Sequence, residues 1–339
     1  MKHKTIKPLP VLEKSGFDPK PGKIETFKVK NYFIVTDIAI TGDAPKDFIR
    51  FYEYGHGRRK NTKRWQLFLA KLGHKHYPVE SITELLLSRI GEYFGFNIAG
   101  ARLAYLGGQI RFLSKYFLSN PAIQVLEHGA ELYAGYLNDK EFVEKVEEDN
   151  KARELFTVQV TNEVIKHFYK EQADEIFKEY IKMLVFDAII GNNDRHFYNW
   201  GVINDVKGIQ KPVFSPIYDT ARALFWNYHE NRIQELANDK NYRNAHINKY
   251  VENSFPKTGW DGYTKINHFE LMNKLHEEGF LENIQIIKDI FYSGSFIHDV
   301  LNRINKDFKG ILSQERINLI NYCLLYRYDT IRKILKFAP

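Results

Sequence analysis

One short stretch of the chain, residues 191–199, is dense in polar residues and directly follows a long apolar segment. Asp194 and Asn199 lie five residues apart in this stretch, and Asp219 follows twenty residues after Asn199. Polar groups are costly to bury beside a core unless something binds them. Carboxylate and amide oxygens are hard ligands, which hold Mg²⁺ with few protein contacts and leave its other positions to phosphate and water. The residue types therefore predict a magnesium site rather than a site for a softer metal, which would need Cys or clustered His.

Phosphoryl transfer is the chemistry that suits these side chains. One carboxylate must lie beside the incoming hydroxyl, and a second carboxylate with an amide oxygen must hold the metal that bridges the phosphates. We assign Asp194 to the first role, and Asn199 and Asp219 to the second. His196, between them, is counted with the catalytic loop and is expected to support it through hydrogen bonds rather than act as a base. The run Gly-Asn-Asn-Asp is also typical of an ordinary turn, so the loop alone leaves a structural interpretation open.

Two charged residues in the first part of the chain fit the same chemistry. Lys71 ends an apolar run at residues 65–72, and Glu84 follows thirteen residues later at the start of a helical pattern. A nucleotide site needs a cation for the phosphates and a carboxylate that holds this cation in place. Each residue has an alternative interpretation, because Lys71 could extend to the surface and Glu84 could be the capping-box partner of Ser81.

The patterns around these residues change in the middle of the chain. Residues 26–40 and 65–72 are rich in β-branched and aromatic residues, which predicts strands, and the spacing of Ser81 and Glu84 predicts a helix start there. Gly107-Gly108 predicts a tight hairpin between residues 102–106 and 109–117. Later, the apolar residues of 162–190 recur with a helical period up to a cap at Gly191.

A charged helix at residues 139–150, a short strand at 213–217 and helices over 267–337 complete this pattern. The elements predict an α+β, bilobal fold with a small mixed-sheet lobe and a larger helical lobe. The boundary is expected near residues 118–121, which gives an N-terminal nucleotide-binding lobe at residues 1–118 and a C-terminal helical catalytic lobe at 119–339.

Composition narrows the class of protein. The chain has 339 residues, enough for two lobes, and 49 Lys and Arg against 42 Asp and Glu give a net charge of +7. The single cysteine, Cys323, excludes an internal disulfide framework. No apolar run approaches the roughly 18 residues of a membrane span, and the first residues lack the apolar run of a signal peptide. These features predict a soluble protein of a reducing compartment.

Several segments together resemble the HipA-like serine/threonine kinases over roughly residues 50–335. Residues 194–199, Asp-Arg-His-Phe-Tyr-Asn, fit the D-x-H-x-x-N catalytic loop of that family, and residues 215–219, Ser-Pro-Ile-Tyr-Asp, resemble its metal-binding P-x-Y-D segment. Residues 83–85 with the later Gly95-Phe96 are similar to its N-E-Y helix. Residues 112–117 are similar to its hinge strand, which implies that the backbone of Lys115, Tyr116 and Phe117 contacts adenine.

The resemblance implies a protein-kinase-like fold that binds ATP and Mg²⁺ and transfers phosphate to a Ser or Thr hydroxyl of a protein, with autophosphorylation possible. It further implies bacterial cytoplasm, a toxin–antitoxin setting and a small DNA-binding antitoxin as partner, while secretion as an effector stays open. Gly55 and Gly57 lie in the segment that corresponds to the phosphate loop. That segment lacks the family's regulatory serine and has only Thr62, so regulation by loop autophosphorylation is not expected on this basis.

Three alternatives remain open from the residues. Asp-Arg-His-x-x-Asn also occurs in phosphatidylinositol kinases, so a lipid substrate stays possible, although those enzymes continue with Asp-Phe-Gly and this chain has Asp219-Thr220-Ala221. The basic run at residues 58–64 would suit a nucleic-acid-binding protein. A pseudokinase that binds nucleotide without transfer is the third, and the presence of Asp194, Asn199 and Asp219 argues against it.

Overall fold

The computed structural model describes residues 6–36, 45–53, 58–121, 123–149 and 151–336. The front of the chain forms an antiparallel sheet of five strands in the order β1-β2-β3-β5-β4. The strands are β1 (Tyr32–Val35), β2 (Lys46–Phe51), β3 (Gln66–Lys71), β4 (Ala101–Leu106) and β5 (Gln109–Lys115). The hairpin predicted at Gly107-Gly108 is confirmed, and both glycines have positive φ, as a tight turn between twisted strands requires. The first predicted strand is shorter than residues 26–40, since residues 29–31 form a 3-10 helix, and residues 37–40 lie outside the described part.

Helix α1 (Val79–Phe94) connects β3 to β4 and packs against β4 and β5. Its start differs from the prediction, because the N-cap is Pro78 and Ser81 lies inside the first turn. The Ser81 hydroxyl accepts a hydrogen bond from the N–H of Gly73 at 2.9 Å, so it ties the helix to the end of β3 instead of capping it. The capping-box interpretation of Ser81 and Glu84 is therefore wrong, and the Glu84 carboxylate is left for another partner.

The rest of the chain is mainly helical. A second antiparallel sheet in the order β6-β7-β8 consists of β6 (Gln124–His128), β7 (Gly201–Asp205) and β8 (Val213–Phe214). The helices before β7 are α2 (Gly129–Leu137), α3 (Lys140–Glu148), α4 (Ala152–Leu155), α5 (Val158–Tyr169) and α6 (Ala173–Ile190). Those after β8 are α7 (Glu230–Asn238), α8 (Lys240–Glu252), α9 (His268–Glu277), α10 (Gln285–Tyr292), α11 (Phe296–Asp307) and α12 (Gln314–Ile334).

The helix predicted as one unit over residues 162–190 is two helices. A 3-10 turn at Lys170–Gln172, with Lys170 at a φ of 36°, separates α5 from α6. The apolar period could not reveal the break, because both helices bury their apolar faces in the same core and contact each other. The predicted end of the second helix is confirmed: Gly191 takes the left-handed conformation, with a φ of 74°.

Helix α6 lies in the middle of the larger core. Thirteen of its eighteen residues are buried, and α5, α9 and α12 pack around it. The same cluster of buried residues includes α1, so the helical part and the front of the molecule share one core, while the five-stranded sheet has a second, smaller cluster around Ile49 and Leu113. The mixed α+β architecture predicted from the sequence is confirmed. The lobe boundary near residue 118, which lies between β5 and β6, stays a prediction.

In the described residues, no helix combines the length and the apolar character needed to cross a membrane.

Candidate active site

The centre of the site is the ammonium group of Lys71 at the end of β3. Its Nζ lies 2.8 Å from Oε1 of Glu84 on α1 and 2.8 Å from Oδ1 of Asp219. Lys71 is only 7% exposed, so the alternative in which its side chain reaches the surface is wrong. The structure thus brings together residues that are 13 and 148 positions apart in the sequence.

Asp219 reaches this position because the segment before it crosses to the front of the molecule. Ile217 forms an isolated β-bridge with Ile98, just after α1. The N–H of Ile217 donates to the carbonyl of Asn97 at 2.8 Å, and the N–H of Ala99 donates to the carbonyl of Ile217 at 2.9 Å. The strand expected over residues 213–217 is therefore interrupted, with β8 ending at Phe214. The bridge fixes the backbone two residues before Asp219.

The two carboxylates around Lys71 differ in their electrostatics. Burial raises the pKa of Glu84 to about 7, because the attraction of Lys71 does not compensate for the lost hydration and the charge of Asp219 adds repulsion. Burial acts in the same direction on Asp219, but Lys71 outweighs it and lowers the pKa of Asp219 to about 2. Burial would lower the pKa of Lys71, yet the two carboxylates raise it above its ordinary value. Lys71 thus stays cationic at neutral pH, and Asp219 is the carboxylate that keeps its charge.

The loop that follows α6 is organised by its own side chains. The amide of Asn192 donates to Asp187 at 2.9 Å, and its oxygen accepts from the N–H of Asp194 at 3.1 Å. Asn199 donates through Nδ2 to the carbonyl of Asp194 at 2.9 Å, and the same nitrogen lies 3.2 Å from Nε2 of His196. His196 also accepts a hydrogen bond at Nδ1 from the backbone N–H of Tyr198, two residues later in the same loop, at 3.3 Å. These contacts close the loop into a compact turn, and the supporting role of His196 stays a prediction.

A buried arginine that the sequence analysis did not identify connects this loop to the Asp219 segment. Arg195 is 2% exposed and pairs with Asp187 of α6 at 2.9 and 3.1 Å. Its Nη1 donates both to the carbonyl of Asn199 at 2.9 Å and to that of Tyr218 at 2.5 Å, and its Nη2 donates to the hydroxyl of Thr220 at 2.9 Å. One guanidinium therefore binds both the backbone of Asn199 and the two residues that flank Asp219. The sequence does contain an indication of this pair, because Asp187 is a charged residue within the apolar second half of α6 and would need a buried partner.

The predicted metal ligands suit Mg²⁺ in their chemistry. Asn199 uses its NH₂ group within the loop, which leaves its amide oxygen as the end that can face a cation, and the carboxylate of Asp219 keeps 38% of its surface exposed. Within the described residues there is no group of three or more His, Cys, Asp or Glu arranged to hold a metal. Two oxygen ligands fit Mg²⁺ bound mainly by phosphate and water, not a metal enclosed by the protein.

Asp194, the predicted partner of the acceptor hydroxyl, has a side chain that is 24% exposed. Its carboxylate forms an ion pair with Arg222 at 3.3 Å, a residue to which the sequence analysis gave no role. Arg222 follows Asp219 by three positions, so the catalytic loop and the Asp219 segment are linked here a second time.

The backbone N–H groups of Lys115, Tyr116 and Phe117 differ in their availability to a nucleotide, and the adenine contacts themselves stay a prediction. The N–H of Lys115 donates to Gly100 at 2.7 Å and that of Tyr116 to Leu67 at 2.9 Å, so neither N–H is free for a base. Phe117 has no such backbone donation within the described residues, and its ring lies 5.5 Å from that of Tyr218. Of the three residues, Phe117 is thus the one whose N–H remains for a nucleotide. Gly55 and Gly57, predicted to approach the phosphates, lie outside the described residues.

The fold combines a five-stranded sheet and its helix α1 with a larger helical part, and the Lys71 ammonium lies between carboxylates from both. This arrangement defines a kinase-like fold. The chain belongs to the HipA-like family: residues 38–278 match the model of the HipA-like C-terminal domain. Its structure is similar to the crystal structure of the Helicobacter pylori proinflammatory kinase CtkA, with a TM-score of 0.62, 16% sequence identity, and 92% of this chain and 96% of that chain covered.

A second similar structure is HipA from Shewanella oneidensis MR-1, in a toxin–antitoxin complex with HipB and operator DNA. Here the TM-score is 0.47 and the identity 12%, over 81% of this chain and 61% of that chain. Comparison with curated proteins gave no match. The family model confirms the resemblance found in the sequence, and the similarity to CtkA confirms the fold.

Proposed function

We propose that this protein is a kinase that uses ATP and Mg²⁺ and transfers the terminal phosphate to a Ser or Thr hydroxyl of a protein. The observation that carries this proposal is the position of the Lys71 ammonium, 2.8 Å from both Glu84 and Asp219. A buried cation beside a part-exposed carboxylate suits a nucleotide phosphate and its metal. Membership of the HipA-like family supports the same reaction class.

Each residue then has a defined task. When bound, ATP·Mg²⁺ supplies the phosphoryl group and the charge neutralisation that its departure needs. Lys71 binds phosphate oxygens, and Glu84 keeps its ammonium at the end of β3. Asn199 and Asp219 would hold the metal, and Phe117 would contact the base. Asp194 accepts or orients the proton of the acceptor hydroxyl, and His196 keeps the loop of Asp194 and Asn199 in shape.

A protein hydroxyl is the acceptor that we favour, because the family resemblance implies it and the chain has Asp-Thr-Ala where phosphatidylinositol kinases have Asp-Phe-Gly. The toxin–antitoxin setting, a small DNA-binding antitoxin as partner, the bacterial cytoplasm and autophosphorylation remain expectations of the resemblance. So does export as an effector. Co-purification with the product of an adjacent gene tests the antitoxin.

Incubation of the purified protein with ATP labelled at the γ-phosphate and a bacterial lysate tests the reaction and its acceptor class. We expect label in protein bands, released as phosphoserine or phosphothreonine on acid hydrolysis. Label in the lipid extract would instead support the lipid kinase. No label in either fraction, together with retention of the protein on nucleic acid that ATP does not compete away, would support the nucleic-acid-binding alternative.

Asp194→Asn should reduce transfer by a factor of about 100 or more, since general-base groups contribute roughly 10²–10⁴-fold. Nucleotide affinity should stay the same, because Asp194 lies on the acceptor side. The matched control is Asp329→Asn on the exposed face of α12, which should leave transfer unchanged. Full transfer by the Asp194 variant would remove this residue from the proposed role.

Asp219→Asn should weaken Mg²⁺-dependent nucleotide binding, because it removes the charged ligand of the metal. Calorimetric titration with a non-hydrolysable ATP analogue, with and without Mg²⁺, separates this effect from a loss of fold. A variant that binds the analogue with the same Mg²⁺ dependence as the wild type would reject the metal assignment.

A further inference from the structure

Arg222 contacts the carboxylate of Asp194, the proposed proton acceptor. Nε of Arg222 lies 3.3 Å from Oδ2 of Asp194, and its Nη1 donates to Oδ1 at 3.3 Å. The guanidinium thus makes one hydrogen bond, to Oδ1, and a close charge contact with Oδ2, which together restrict the position of the carboxylate. The other side of Arg222 lies over the ring of Trp226, at 5.8 Å from the centroid.

Arg222 differs from the arginines that stabilise this part of the fold. Arg195 and Arg316 are buried, and both donate to backbone carbonyls and to a buried carboxylate. The side chain of Arg222 is 41% exposed, that of Asp194 is 24% exposed, and Arg222 has no other ion-pair partner in the described part of the chain. An exposed pair contributes little to stability, about 0–1 kcal/mol. The Arg222–Asp194 pair therefore matters for the geometry of the site more than for the stability of the fold.

The backbone that carries Arg222 is strained and firmly held. Asp219, Leu224 and Phe225 have positive φ values of 53°, 50° and 63°. Such conformations cost free energy in residues with a side chain and persist where the surroundings enforce them. Arg316 donates to the carbonyl of Phe225 at 3.0 Å, and the N–H of Phe225 donates to the hydroxyl of Tyr250 at 3.2 Å. The segment is anchored at its other end by the Arg195 bonds to Tyr218 and Thr220, so Arg222 is presented by a rigid loop.

We propose that Arg222 is a positioning residue that orients the carboxylate of Asp194 toward the acceptor hydroxyl. The inference rests on the proposed kinase function. A carboxylate has about four lone-pair sites, so sites on both oxygens remain for the hydroxyl proton while Nη1 of Arg222 occupies one site on Oδ1. Because Asp219 and Arg222 belong to the same rigid loop, the metal ligand and the proton acceptor are kept in one fixed relation. That is the preorganisation that an in-line transfer needs.

Steady-state phosphoryl transfer by Arg222→Ala and Arg222→Lys tests the assignment. We expect Arg222→Ala to lower kcat about 100-fold, the effect typical of a misplaced reacting group, with the KM for ATP unchanged. Arg222→Lys should recover part of kcat, since it keeps the charge and loses the planar guanidinium. Added guanidinium should partly restore Arg222→Ala. The matched control is Arg232→Ala on α7, which also removes a carboxylate pair (Glu235, 2.9 Å) and a contact with an aromatic ring (Tyr242, 5.0 Å), and should leave kcat unchanged.

The outcomes separate the inference from the function on which it rests. If the wild type transfers phosphate, Asp194→Asn does not, and both Arg222 variants keep the wild-type kcat, the positioning role is wrong and the kinase function stands. A rise in kcat for Arg222→Ala would also overturn it, because Arg222 would then block Asp194. A parallel loss of nucleotide affinity and kcat would assign Arg222 to the nucleotide instead. If the wild type transfers no phosphate to any acceptor, the proposed function fails and the inference fails with it.

Discussion

The buried carboxylate of Glu84 predicts a pH dependence of stability that a single substitution should remove. Glu84 is 5% exposed and shares Lys71 with Asp219, so one ammonium group faces two carboxylates. The pKa of Glu84 rises from 4.5 to about 7 on folding. A group whose pKa is raised in the folded state stabilises that state fully below its unfolded pKa, and this contribution is lost as the pH rises through the folded pKa.

The expected size follows from the two pKa values. Each unit of difference corresponds to about 1.4 kcal/mol, so Glu84 should make the free energy of unfolding fall by roughly 3 kcal/mol between pH 4.5 and pH 7.5. In Glu84→Gln this contribution is absent, because an amide does not titrate. The difference between the wild type and the variant isolates Glu84 from the other groups that titrate in the same range.

Urea denaturation at half-unit steps from pH 4.5 to pH 8 measures this difference. We expect the Glu84→Gln curve to gain stability relative to the wild type as the pH rises. The control is Glu92→Gln in the last turn of α1, which makes the same exchange at a part-exposed carboxylate paired with Arg89 and should change stability by only about 0–1 kcal/mol. Parallel curves for Glu84→Gln and the wild type would show that Glu84 is ionised throughout and that Lys71 compensates its burial fully.

Three further predictions concern the fold. Asp187→Asn should lower the free energy of unfolding by about 3–5 kcal/mol in urea denaturation, because Arg195 would stay buried without its counter-charge; a loss below about 1 kcal/mol would contradict this. Gly259→Ala should cost about 3 kcal/mol, since its Cβ would lie 1.8 Å from a backbone oxygen, whereas Gly100→Ala, with 3.7 Å to the nearest atom, should change stability by less than about 1 kcal/mol. Cys323 is buried, and burial raises the pKa of its thiol to about 12. At pH 8 a thiol reagent should therefore label the native protein far more slowly than the urea-unfolded protein. Equal labelling rates would refute the burial of Cys323.

The residues of the candidate site could be predicted largely from local sequence chemistry. The spacing of Asp194 and Asn199, the later Asp219 and the order of Lys71 and Glu84 follow from residue types in the chain, and the structure brings all five to one place. The hairpin at Gly107-Gly108 and the helix end at Gly191 could also be predicted, because glycine at those positions permits a backbone conformation that other residues resist.

The errors have a common cause, which is competition between local and long-range contacts. Ser81 and Glu84 have the spacing of a capping box, but in the folded chain the serine binds the backbone of Gly73 and the glutamate binds Lys71. The apolar period of residues 162–190 continues across Lys170, where the chain nevertheless changes direction. A periodic pattern records which residues face a core, and it does not record where one helix ends and another begins.

The sequence by itself determined the family and the α+β class and predicted the residues of the candidate site, because these depend on side-chain chemistry and on short-range spacing. Only the tertiary structure decided how the parts are held. Arg195 joins Asn199 to Tyr218 and Thr220, and Arg222 holds Asp194. Such links depend on which segments the shared core brings within hydrogen-bond distance, and no local pattern encodes a contact between a loop and a segment twenty or more residues away.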